Sequence, residues 1–126
     1  MGAVQRSSTP RHLLPRRARL SRHEDFARVF KDNLRASDDL FTVLARPNGL
    51  AHPRLGLAVS RKAVGSAVDR NRLKRLAREA FRVAQHEVAP LDIVVLARSQ
   101  AAAAAPADVR ASLQRLWQRV NARCRR

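Results

Sequence analysis

The segment from Arg61 to Arg82, RKAVGSAVDRNRLKRLAREAFR, puts eight Lys/Arg and two acidic residues into 22 positions while keeping apolar residues at helical spacing. Such a stretch is satisfied by a helix with one face in a core and the other presented to a polyanion. At about 100° per residue, Leu73, Leu76, Ala77, Ala80, Phe81, Ala84 and Val88 fall on one side. Asn71, Arg72, Lys74, Arg75, Arg78 and Arg82 cover the other. The spacing predicts a helix from near Ser66 to about Glu87, stopped by Pro90. The Ser66 hydroxyl can accept an early backbone N–H, while Asp69 completes a capping box and complements the positive helix end. Gly65 allows a sharp turn just before it. A solvated face normally interleaves acids with bases, and here only Asp69 and Glu79 do so.

Composition sharpens the partner. A chain of 126 residues has length for one domain, and its formal charge of +16 exceeds what solubility requires. Nucleic acid is the leading polyanion and a membrane surface the second. No apolar run approaches the roughly 20 residues that span a bilayer, and a Leu, Ala and Phe stripe suits a core, so no membrane partner is expected. Cys124 is alone, which excludes a disulfide framework and a thiolate metal cluster and fits a reducing, cytoplasmic setting. His12, His23, His52 and His86 lack zinc-ligand spacing and read as surface residues. Arg outnumbers Lys 23 to 3, which suits bidentate phosphate binding and is equally the mark of a coding bias.

Residues 1–18 read as a flexible basic arm, because Pro10 and Pro15 break any long amphipathic helix there. Residues 19–126 form the single domain. Ser21 and Glu24 make a capping-box pair ahead of a short helix ending by about Asn33, with Phe26, Val29 and Phe30 on one face. Leu40–Ala45 reads as a strand, and 46–54, with Pro47, Asn48, Gly49 and Pro53, as a loop. Leu55, Leu57 and Val59 alternate in a second strand, expected antiparallel to the first, where small Gly56 and Ala58 let another element approach. The apolar run Leu91–Ala97 is a buried strand, parallel to its predecessor across the basic helix. Ser99–Ala105 is an alanine-rich connector without visible chemistry. Pro106 opens a last helix, with Val109, Leu113, Leu116, Trp117 and Val120 in its core stripe. The layout is α-β-β-α-β-α, an α+β two-layer sandwich on a small mixed sheet.

A self-sufficient active site is not visible. The paired acids Glu24-Asp25 and Asp38-Asp39 suit capping and loops, since adjacent side chains on an element point apart. No nucleophile elbow, phosphate-cradling Gly-rich loop or Cys/His metal set occurs. What is present suits holding RNA: cations three and four residues apart can follow successive phosphates and release counterions. Phe26 and Phe30, one turn apart, either stack on single-stranded bases, at about 1–3 kcal/mol per base, or belong to the core.

The string Lys62-x-x-Gly65-x-Ala67-Val68-x-Arg70-Asn71-Arg72-x-Lys74-Arg75-x-x-Arg78-Glu79 resembles the signature of the bacterial ribonuclease P protein component. Arg19-Leu20 with Asp25-Phe26-x-x-Val29-Phe30 resembles that family's first helix. Arg54–Leu57 with Val59–Lys62, and Asp92–Arg98, resemble the strands on either side of the motif. The resemblance covers about residues 19 to 120. It implies a fold similar to the second domain of a small-subunit ribosomal protein, with a left-handed β-α-β crossover where generic rules favour a right-handed one.

The same resemblance implies the function. The chain is expected to join a catalytic RNA, the holoenzyme removing the 5′ leader from precursor tRNA by hydrolysis that requires Mg2+, with catalysis left to the RNA. By the same token no obligate protein partner is expected. Carried over, Arg70, Asn71, Arg72, Lys74, Arg75 and Arg78 would bind the catalytic RNA. Phe26 and Phe30 would line the cleft for the leader, where Arg61 and Lys62 also reach. Leu44 stands where the family often has an aromatic facing that cleft. The rival classes are a ribosomal or other structural RNA-binding protein, a DNA-binding module and a protein-only nuclease.

Overall fold

The computed structural model describes residues 14–124. Three α-helices, α1 (His23–Lys31), α2 (Ala67–Ala84) and α3 (Pro106–Cys124), pack on four strands, β1 (Leu34–Ser37), β2 (Phe41–Pro47), β3 (Arg54–Ala58) and β4 (Leu91–Ala97). The sheet order is β1-β2-β4-β3. β1 with β2, and β2 with β4, are antiparallel, whereas β3 and β4 are parallel neighbours joined through α2. The α+β class and the mixed sheet agree with the expectation from sequence. Among the described residues no helix is long and apolar enough to cross a membrane.

Alternation along the strands divides the core in two. Phe41, Val43 and Ala45 of β2, Leu55 of β3, and Ile93 and Val95 of β4 face α2 and α3. There they meet Leu73, Leu76 and Phe81 of the α2 stripe and Leu113, Leu116, Trp117 and Val120 of α3. Trp117 is 2% exposed and meets Phe81 edge to face at 5.8 Å, so it is a core residue. On the opposite sheet face Leu20, Val29, Leu44 and Val94 form a smaller cluster under α1. Each fully buried side chain contributes about 1.5–3 kcal/mol, so α1 has far less apolar anchorage than α2 and α3.

Polar ties supplement it. Arg54 donates from Nε to Asp92 Oδ1 (2.8 Å) and from Nη2 to Asp92 Oδ2 (2.7 Å), and Nη2 lies 3.6 Å from Asp25 Oδ1 on α1. Hydrogen bonding to Asp92, together with the charges of Asp92 and Asp25, outweighs burial and holds the Arg54 pKa above its ordinary value. Arg28 Nη1 reaches the same Asp25 oxygen at 3.1 Å. The Glu24-Asp25 pair thus works through Asp25 as an ion-pair residue. Asp38 has the loop role expected of it: its Oδ1 accepts the backbone N–H groups of Leu40 (2.9 Å) and Phe41 (3.0 Å), closing the β1–β2 hairpin.

Several expectations need correction. β1 adds to the expected strands: LRAS alternates apolar and polar residues, but over only four positions directly after the first helix, too short a run to announce a strand. β3 runs antiparallel to β2 but does not touch it, since β4 inserts between them. The first helix is capped at Arg22, whose side chain makes no cap bond, so the Ser21/Glu24 capping box does not form. α2 ends at Ala84 and continues as a 3-10 turn over Gln85–Glu87. The domain also begins earlier than residue 19. Leu14 and Ala18 are buried in the main core, Arg16–Ala18 forms a 3-10 turn, and Leu20 N–H bonds Leu55 O at 2.8 Å. The remainder of the arm, residues 1–13, lies outside the described residues.

Candidate nucleic-acid interface

The start of α2 is built as expected: Ser66 Oγ accepts from Asp69 N at 3.3 Å. The turn before it is closed by Ser60, which takes the N–H of Ala63 on its hydroxyl and that of Val64 on its carbonyl. Arg61 and Lys62 project exposed from this turn.

The cations of α2 then separate into two kinds. Arg70 folds back, donating from Nη1 to Val64 O (3.0 Å) and Gly65 O (2.9 Å). Arg72 is more fully engaged, with Nη1 on Ala104 O (3.2 Å), Nη2 on Ala102 O (2.8 Å) and Nε 3.9 Å from Asp69. The alanine-rich connector therefore has chemistry after all. Its 3-10 turn Ser99–Ala103 buries Ala101 and its carbonyls tie the connector to α2. Asn71 and Arg75 are exposed, and Lys74 and Arg78 are half-buried. Burial lowers the Arg78 pKa, and the like charge of Arg19 lowers it further.

Lys74 and Arg78 face a groove of about 130 Å³ lined also by Arg19, Leu20, Phe26 and Leu57. Leu57 and Lys74 line a second hollow of about 380 Å³ that reaches Val59 and Ser60. The two share Leu57 and Lys74 and extend from Phe26 to Ser60, at the start of the turn carrying Arg61 and Lys62, with Leu96 and Ala97 of β4 also lining the second. The structure thus brings Phe26, Lys74 and Arg78 to one groove. Phe30 is not part of its lining and stands 48% exposed. Leu44 lies on the sheet face under α1, only 4% exposed, and packs with Val29 and Val94.

Phe26 is seated by the smallness anticipated in β3. A Cβ built on Gly56 would lie 2.7 Å from Phe26 Cζ and 3.0 Å from Leu20 Cβ. The role of Arg19 in the groove was not legible, since it depends on residues 14–20 docking beside β3. The bridge Arg19↔Leu55 and the bond from Arg19 Nε to Leu14 O (2.8 Å) put it there. Among the described residues no group of three His, Cys, Asp or Glu side chains could hold a metal ion.

The family model for ribonuclease P matches residues 14–121. The chain belongs to the ribonuclease P protein family. The match begins at Leu14, the first described residue and part of the core. The ribonuclease P protein component of Methylococcus capsulatus is 50% identical over 110 residues, covering 87% of this chain and 86% of its own. That of Photorhabdus laumondii is 47% identical over 105 residues, covering 83% and 88%. Among solved structures, the RNase P protein of Staphylococcus aureus superposes with a TM-score of 0.77 at 33% identity, over 82% of this chain and 97% of that one. The RNase P protein of Thermotoga maritima, in complex with 1-(4-fluorophenyl)-2-thiourea, gives 0.76 at 37% identity, over 81% and 99%.

Proposed function

We propose that this ribonuclease P family member is the RNA-binding protein subunit of a ribonucleoprotein that removes the 5′ leader from precursor tRNA in the cytoplasm. The observation that carries this reading is the groove beside β3, where an aromatic face (Phe26) and three cations (Arg19, Lys74, Arg78) line one channel. A single strand needs that combination: cations for its phosphates and a ring for its bases.

The roles follow from how each side chain is held. Arg75, Asn71 and Lys74, whose side chains make no hydrogen bond among the described residues, present their donors to the catalytic RNA, with Arg78 shared between that surface and the groove. Arg70 and Arg72 shape the same surface through the carbonyls they hold, and offer the RNA their remaining N–H groups. The leader lies along β3 from Phe26 toward Arg61 and Lys62, and Phe30 adds an exposed ring on the same helix. Leu44 supports α1 from below.

In this reading the Mg2+ ion and the hydrolysis are assigned to the RNA, while the protein binds and orients. No obligate protein partner is required in this arrangement. Filter binding tests the reading against a structural RNA-binding protein. The holoenzyme should bind precursor tRNA more tightly when the leader is several nucleotides long than when it is a single nucleotide. Equal affinity for both would leave the groove without its assigned ligand.

A further inference from the structure

α1 carries Phe26 to the groove, yet the apolar cluster beneath it has only four buried members, Leu20, Val29, Leu44 and Val94. Its second anchorage is a chain of polar contacts through five parts of the fold. His52 Nε2 meets Arg17 O at 2.9 Å, and Asn48 Nδ2 donates to His52 O (3.1 Å) and to Asp92 Oδ1 (3.0 Å). Arg54 forks onto Asp92 and reaches Asp25 at 3.6 Å, and Arg28 closes on Asp25 from the next turn. Asp92 and Asp25 are buried, at 4% and 7% exposure. A buried carboxylate cannot leave its cations without a large desolvation penalty, so such a pair fixes geometry more than it adds stability.

Asp25 is adjacent to Phe26. We infer that Asp25, clamped between Arg54 and Arg28, is a positioning residue for leader recognition: it sets the rotation of α1 that lays Phe26 over Gly56 and into the groove. This rests on the reading above that the groove holds the leader. Asp25 itself touches no substrate. Its second tie is indirect: Arg28, the other cation on its carboxylate, offers its backbone carbonyl to Arg46 Nη1 at 3.2 Å, fixing α1 to β2 one turn further along. Losing the charge at residue 25 leaves the Arg54–Asp92 fork in place, so the sheet survives while the helix loses its lock.

The test uses the holoenzyme reconstituted with its catalytic RNA and precursor tRNAs bearing a long or a single-nucleotide leader. Asp25→Asn should raise KM for the long-leader substrate about tenfold, the equivalent of one stacked base. KM for the short-leader substrate, kcat and the affinity for the catalytic RNA should stay at wild-type values. Asp25→Glu, which keeps the charge, should retain most of the long-leader advantage. A parallel rise for both substrates, or weakened RNA affinity, would show a general folding role and overturn the inference, as would an unchanged long-leader KM in Asp25→Asn. Wild-type protein showing no leader-length dependence would instead overturn the leader reading itself.

Discussion

Phe26 lies against Gly56 so closely that a Cβ at residue 56 would stand 2.7 Å from the phenyl Cζ. The ring cannot keep its place once residue 56 has a side chain. Gly56→Ala is expected to destabilise the protein by about 1–3 kcal/mol, the usual cost of overpacking, and to weaken binding of leader-bearing substrate. Urea unfolding measures the first and filter binding the second.

Arg72 and Arg75 are near neighbours on α2 with opposite commitments. Arg72→Ala removes two bonds to the connector, at Ala102 and Ala104, and is expected to lower stability by about 1–2 kcal/mol. Arg75→Ala, at an exposed side chain, should leave stability alone. It should instead reduce affinity for the catalytic RNA and flatten the slope of log affinity against log salt by about 0.7 to 0.9. With about six phosphates contacted, the wild-type slope should be roughly −4 to −5. Paired melts and salt titrations separate the two residues.

Asp38 gives the fold a pH dependence. Partial burial works against its ionisation, but hydrogen bonds from the Ser112 hydroxyl and the Phe41 and Leu40 N–H groups, with the Arg115 charge, outweigh it. The carboxyl is held below the usual carboxylate range. A group depressed in the folded state stabilises at every pH above its unfolded pKa of about 3.9. That contribution disappears as pH falls through the lower folded value. Ser112→Ala should therefore lower stability at neutral pH and reduce its fall below about pH 4, as followed by denaturant melts across pH.

Arg19 and Arg78 share the groove as like charges, and burial with that repulsion depresses the Arg78 pKa. An oxyanion relieves the repulsion. Sulfate or phosphate should raise Tm by mass action, a single bound anion adding about 2.7 kcal/mol at a hundred times its Kd. Arg78→Gln should shrink that increment, and scanning calorimetry with and without sulfate reads it.

Legibility in the sequence tracked how local each determinant is. The α2 stripe, its Ser66 cap, the apolar run of β4 and the α3 stripe with Trp117 are set within a few turns or a single run, and each was readable. The pairing of β4 between β2 and β3 is a long-range choice that no window displays. β1 pairs with β2 through the hairpin that Asp38 closes, and its carbonyls at Ser37 and Arg35 are further held by Arg119 and Arg123 of α3, more than eighty positions away. Leu14, Ala18 and Leu20 are interspersed with Arg16, Arg17 and Arg19, so a docked segment reads as a basic arm. At the candidate site the motif singles out the cations, but only the fold shows that Arg72 is spent on the connector while Arg75, among the described residues, makes no such bond.

We propose a division of labour in which the protein holds RNA and the RNA cuts. The most direct measurement incubates precursor tRNA at low magnesium with the purified protein, with its catalytic RNA, and with both, and follows release of the 5′ leader. Efficient release only when both are present is the predicted result. Cleavage by the protein without the RNA, or a rate with the RNA that the protein does not change, would contradict the account.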